Sequence, residues 1–166
     1  MKQLLYERLT EYIVENQDRF YRTAYSYTRH QEDALDAVQS AVCRALEAHG
    51  SLKDENAVRT WFYRILVNEC LTILKKRKKV VLTADCPEQE EVYYETEYEK
   101  EDDMERELDR LGPDISGIIK LRFFEEMSLK EISAVTGYNL NTVKSRLYRG
   151  LKLLKENIQE EDLWAD

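Results

Sequence analysis

Between Val143 and Lys155 the side chains that can do chemistry are sorted by angle. On a helical wheel that starts at Val143, one side carries Lys144, Ser145, Tyr148, Arg149, Lys152 and Lys155. The other carries Val143, Leu147, Gly150, Leu151, Leu154 and Ile158, the stripe that a helix buries. The chemistry open to the first set is recognition. Lysine and arginine neutralise phosphates, while serine, tyrosine and arginine reach base edges. An amphipathic hairpin with a solvated basic face shares this pattern, so the elements around it must decide.

Those elements have the right form. Leu129, Ile132 and Val135 give a preceding helix over 128–136 an inward stripe, and Gly137 sits where the chain must reverse with a positive φ. Asn139 or Asn141 can cap the following helix, because a short side-chain acceptor satisfies its first-turn amides. Two helices joined this way, with cations on the outer side of the second, fit a DNA major groove.

A second cationic site lies upstream. Lys75–Lys79 places five cations at the end of a helix expected over 56–79, where they offset the helix dipole and offer phosphates a patch. Trp61, Phe62, Ile65 and Leu66 supply that helix's apolar bulk, with Trp61 and Phe62 as core anchors. Asn68 is unusual among them. An unpaired buried amide costs about 1–3 kcal/mol, so it is expected to face a cleft or to bond a loop.

The helix expected over 31–48 turns Ala34, Val38, Ala41, Val42 and Ala45 inward, with Leu35 and Leu46 beside them. Small alanines let neighbouring helices approach closely. Asp36, Gln39, Ser40, Cys43 and Glu47 face outward, either solvated or meeting a basic partner.

The whole chain of 166 residues is 43% hydrophobic and 35% charged, with 5 Gly and 2 Pro. So few breakers favour an all-α protein. Helices are expected over 2–15, 17–29, 31–48 and 56–79, and again over 100–111, 114–126, 128–136 and 140–158. Pro113 suits the first turn of its helix. The expected architecture is two small helical bundles joined by a flexible acidic linker, the second bundle being a helix-turn-helix domain. The boundaries are 1–80, 81–103 and 104–160.

A net charge of −8 argues against nucleic acid until the chain is divided. Residues 1–83 carry +3, residues 84–103 carry −9, and residues 104–166 carry −2. Phosphate attraction decays over roughly 8–10 Å at physiological salt, so local patches outrank the total. The acidic segment, with Pro87 and no sustained helical stripe, reads as a solvated linker. Alternatively it mimics nucleic acid, or docks a protein through Tyr93, Tyr94 and Tyr98.

No window has the roughly 18 apolar residues of a membrane span, and the charged N-terminus lacks a secretory apolar stretch, so a cytoplasmic protein is expected. Cys43, Cys70 and Cys86 have no metal-like spacing and read as reduced structural thiols. With only His30 and His49, no zinc site is expected. No nucleophile–base pair or Gly-rich phosphate loop points to an enzyme, a cofactor or a small-molecule substrate.

Three blocks taken in order, QEDALDAVQSAVCRAL, RTWFYRILVNECLTILKKRKK and LKEISAVTGYNLNTVKSRLYRGLKLL, resemble the extracytoplasmic-function (ECF) group of bacterial sigma factors. Only the linker lies outside the resemblance. Such a factor lends core RNA polymerase its promoter specificity and is held inactive by an anti-sigma partner, often membrane-bound.

The resemblance implies roles residue by residue. Asp33, Asp36 and Gln39, with Ser40 and Cys43 on the same face, match the region that grips the polymerase clamp helices. Ser51, Leu52, Lys53 and Asn56 match the loop that captures a flipped base of the minus-ten element, with Arg64 and Asn68 beside its pocket. Lys75, Lys76 and Arg77 would track the strand backbone. Asn141, Thr142, Lys144, Ser145, Tyr148 and Arg149 match the helix that reads the minus-thirty-five element. Arg146 either joins them or holds an ion pair within the domain.

Three departures stand out: Asn141 replaces a common glycine, Leu151 a common base, and Val42 a common aromatic. Asn141 leaves the minus-thirty-five preference open, since its side chain reaches where glycine cannot. A stand-alone helix-turn-helix regulator is the competing reading, and it leaves the tryptophan helix and its basic end unexplained.

Overall fold

The computed structural model describes residues 2–83 and 103–165, and side chains over 3–80 and 106–156. The acidic segment's tyrosines, Pro87 and Cys86 lie outside the described residues. Eight α-helices and two 3-10 turns make up the described chain, and no strand occurs among the described residues. The chain divides into two compact units, whose boundary falls between Glu95 and Thr96.

The first unit holds α1 (Lys2–Glu15), α2 (Gln17–Thr28), α3 (Gln31–Glu47), 3-10 turns at His49–Ser51 and Glu55–Ala57, and α4 (Val58–Thr83). Helices α2, α3 and α4 pack on one another, and α1 lies against α3 and both turns. Ala34, Ala37, Ala41 and Ala45 are fully buried along α3 and bring its backbone close to its neighbours. Large rings fill the space beyond them. Phe20 and Phe62 lie 4.4 Å apart, with Tyr63 5.6 Å and Tyr12 5.6 Å from Phe20.

Several expectations shift here. Leu35 is 48% exposed, whereas Ala37, not singled out, is buried. Residue 35 lies about 100° from Ala34, which turns it off the seam. Trp61 is half-buried, and the anchor beside Phe62 is Tyr63. Helix α4 runs on through Thr83, so the first residues assigned to the linker are helical.

The second unit holds α5 (Asp103–Arg110), α6 (Pro113–Phe123), α7 (Leu129–Thr136) and α8 (Leu140–Ala165). Pro113 stands in the first turn of α6. That helix stops at Phe123 rather than continuing to residue 126, because Glu126 adopts φ 52° and Arg122 Nη1 donates to the Met127 carbonyl at 2.9 Å. Helix α8 extends past its expected end at residue 158.

The core of this unit is aliphatic: Leu108, Ile118, Leu121, Met127, Ile132, Val135 and Val143 are all nearly inaccessible. Gly150 lets α8 approach α6. A Cβ there would stand 2.5 Å from Ile115 Cγ2 and 2.6 Å from Ile119 Cδ1.

Cys43 is exposed and Cys70 buried, and both are free thiols. Burial first, and the Glu69 charge second, push the Cys70 thiol up to about 12, so it stays neutral.

Candidate nucleic-acid interface

The turn before α8 is fixed by polar chemistry. Ser128 Oγ accepts from the Glu131 N–H at 3.1 Å while Glu131 Oε1 accepts from the Ser128 N–H at 2.8 Å, a reciprocal cap that starts α7. Gly137 ends it with φ 84°, a left-handed conformation that costs glycine little. Asn139, rather than Asn141, caps α8: its Oδ1 accepts from the Thr142 N–H at 2.9 Å.

This cap leaves Asn141 exposed at the start of α8, where its side chain is available to a ligand. Val143, Leu147, Gly150 and Leu154 are buried, which turns Lys144, Ser145, Tyr148, Arg149, Lys152 and Lys155 to solvent. Tyr148 is 66% exposed, a large ring held at the surface of a cationic face. Thr142 is half-buried.

Arg146 leaves that face. Its guanidinium lies 4.3 Å from the Tyr138 ring centroid, and Nη1 is 3.7 Å from Asp114 Oδ2. Tyr138 Oη donates to Asp114 Oδ1 at 3.1 Å. Burial, and then the Asp114 charge, raise the Tyr138 phenol above its usual value, which keeps it a donor at neutral pH. Of the two roles open to Arg146, the geometry supplies the ion pair. Asp114 and Tyr138 went unnoticed in the sequence because they are 24 residues apart.

In the first unit, Asp36, Gln39 and Cys43 are exposed along α3 and Ser40 is half-buried beside them. Asp33 is different. Its carboxylate is half-buried, with Oδ2 2.8 Å from Arg77 Nε and 3.9 Å from His30 Nδ1. The contact with Arg77 is one of charge rather than an aligned hydrogen bond. Two residues assigned to different partners are thus joined to each other.

The two 3-10 turns and the loop between them expose Ser51, Lys53 and Asn56. Leu52, grouped above with the DNA-facing residues, is only 3% exposed; its apolar side chain enters the core and anchors the loop. Asp54 Oδ1 accepts from the Asn56 N–H at 3.0 Å and shapes the second turn. Arg64 is exposed on α4. Asn68 is exposed too and lines an open groove of about 350 Å³ with Leu71, Thr72, Leu74, Lys75 and Lys78. Of the two placements expected for this amide, a cleft or a loop partner, it takes the cleft. Lys75, Lys76 and Arg77 are exposed, continuing the polar surface along α4.

A capped helix-turn-helix in one unit, and in the other a helix that carries a polar loop at its start and a basic run towards its end, define a nucleic-acid-binding protein of two modules. Sequence comparison makes this specific. Residues 12–80 match Sigma-70 region 2, and residues 101–154 match Sigma-70, region 4. The RNA polymerase sigma factor SigV of Bacillus subtilis (strain 168) is 38% identical over 98% of this chain and 98% of its own length. An RNA polymerase sigma-E factor of Streptomyces coelicolor is 28% identical over 93% of this chain and 88% of its own length. The chain belongs to the extracytoplasmic-function group of the sigma-70 family, whose members are transcription initiation factors.

Among solved structures, the sigma factor RpoE from Bartonella quintana, in complex with the anti-sigma factor NepR, matches with TM-score 0.77. The likeness covers 90% of this chain and 96% of that one at 24% identity. CnrH in complex with the cytosolic domain of CnrY matches with TM-score 0.64 at 18% identity, over 96% of this chain and 97% of that one. At these identities the likeness establishes the fold. No helix among the described residues is long and apolar enough to cross a membrane.

Proposed function

We propose that the two units divide the work of promoter-specific initiation. The first, over residues 1–80, docks core RNA polymerase through Asp36, Gln39, Ser40 and Cys43 on α3, and opens and reads the minus-ten element. Ser51, Lys53, Asn56, Arg64 and Asn68 hold the flipped base and its neighbours. Lys75, Lys76 and Arg77 follow the strand's phosphates, Arg77 remaining tied to Asp33. The second, over residues 104–160, reads the minus-thirty-five element with Asn141, Thr142, Lys144, Ser145, Tyr148 and Arg149. Arg146 steadies the recognition helix through Asp114 and Tyr138.

The supporting observation is the clean split of α8, apolar residues inside and cations outside, behind a turn capped by Asn139. Such a helix enters a major groove without exposing core. A cytoplasmic location follows from these partners. The chain performs no catalysis of its own and needs no cofactor or metal.

Control by an anti-sigma factor, soluble or membrane-bound, extends the reading: a sigma factor of the same fold has been captured in complex with an anti-sigma factor. The test is reconstitution. Purified chain added to core polymerase should produce transcripts from one start on a template carrying its promoter, and an anti-sigma partner should abolish them. Duplex binding without core, and no specific start with it, would instead mark a stand-alone regulator.

A further inference from the structure

Helix α1 begins ten residues before the matched Sigma-70 region 2, which starts at residue 12. Its inner side is ordinary, with Leu9 and Ile13 buried in the bundle. Two of its other side chains touch the turns that bound the loop around Leu52. The Tyr6 ring meets the His49 ring edge-on, centroids 5.1 Å apart at 78°. Two residues on and about 160° round the helix, Arg8 Nε lies 3.7 Å from Glu55 Oε2.

His49 is itself tied back to α3, its Nδ1 lying 2.8 Å from the Leu46 carbonyl oxygen. The loop is therefore held at three points: the first turn by Tyr6, the middle by buried Leu52, and the second turn by Arg8. Ser51 and Lys53 between those fixtures, and Asn56 just past the last, are left facing solvent.

We infer that Tyr6 and Arg8 are positioning residues for base capture. They hold the loop in its receiving conformation before DNA arrives, so that less ordering entropy is lost on binding. The inference rests on the proposed role of the loop in taking a flipped base.

An exposed ion pair and an edge-on ring contact each contribute little to global stability. Their effect should therefore appear in discrimination rather than in folding. A pocket whose walls are loosely placed still meets the strand backbone, yet it loses the geometry that distinguishes a seated base from none.

The experiment uses holoenzyme assembled from core polymerase and full-length chain. The probe is a single-stranded minus-ten oligonucleotide from the promoter found by start-site mapping, intact or with an abasic site placed at each position in turn. The readout is the ratio of intact to abasic affinity at the captured position, with core affinity measured alongside. Tyr6→Ala and Arg8→Glu should each lower the ratio by about threefold or more, with core affinity unchanged. Combining Arg8→Glu with Glu55→Arg should restore it. Ile13→Val, which loosens the same helix from inside, should leave it alone.

Unchanged ratios in both single variants, or a charge swap that restores nothing, would overturn the inference. Wild-type holoenzyme that shows no abasic penalty at any position would refute the loop's role itself, and the brace with it.

Discussion

The front bundle and the rear one reach precision by different means. In the front, the long helix α4 is located by bulk: Phe20, Phe62 and Tyr63 interlock, and alanines on α3 set the spacing. In the rear, the recognition helix is located by small polar devices, including the Ser128–Glu131 reciprocal cap, Gly137, Asn139 and the Asp114–Tyr138–Arg146 cluster. Aromatic packing suits a domain whose proposed work, holding a large partner and a separated strand, calls for rigidity. Capping fixes where a helix starts and how its first turn is aimed. The difference teaches where each half is fragile.

The comparison breaks most sharply at Phe62. Phe62→Ala should cost the front bundle about 3–5 kcal/mol through the cavity it leaves, read as faster amide exchange in α2–α4 with α6–α8 unchanged. Equal acceleration in both units would mean that they do not fold independently. Next comes Gly150→Val, which forces branched carbons onto Ile115 and Ile119. A loss of about 1–3 kcal/mol confined to the rear bundle is expected by the same exchange measurement, and no loss would show that α6 yields to α8.

Ser128→Ala should have a smaller effect, about 0.5–2 kcal/mol, because it removes one cap acceptor and leaves the aliphatic core alone. The front bundle has no described counterpart to that device at the start of α2, where Asn16 makes no side-chain cap. Asn16→Ala should accordingly leave amide exchange in α2 nearly unchanged, and a loss equal to that of Ser128→Ala would erase the contrast.

Much of this was legible in the residues. The buried stripe of α8 is written at helical spacing, and Val143, Leu147, Gly150 and Leu154 are where that spacing puts them. Gly137 could be read as a left-handed stop because few other residues adopt that φ easily. What escaped was set by distance along the chain. Nothing local says that Asp33 meets Arg77, that Asp114 meets Tyr138, or that Tyr6 and Arg8 reach the loop.

Leu52 was misjudged for a related reason. The resemblance matches the loop as a whole, and only the fold reveals the space that receives this one apolar side chain. Leu35, placed beside the inward face, is 48% exposed, because its angle on α3 does not reach the seam.

The division of labour is tested most directly by measuring core affinity and promoter-duplex affinity side by side for two variants. Arg149→Ala should leave core affinity intact, weaken promoter binding by the holoenzyme, and flatten the dependence of log affinity on log salt by about one if Arg149 contacts a phosphate. Replacing Asp36 and Gln39 together with alanine should do the reverse and reduce association with core. If Arg149→Ala lost core binding, or the α3 double variant bound core as tightly as wild type, the two surfaces would not be the ones described.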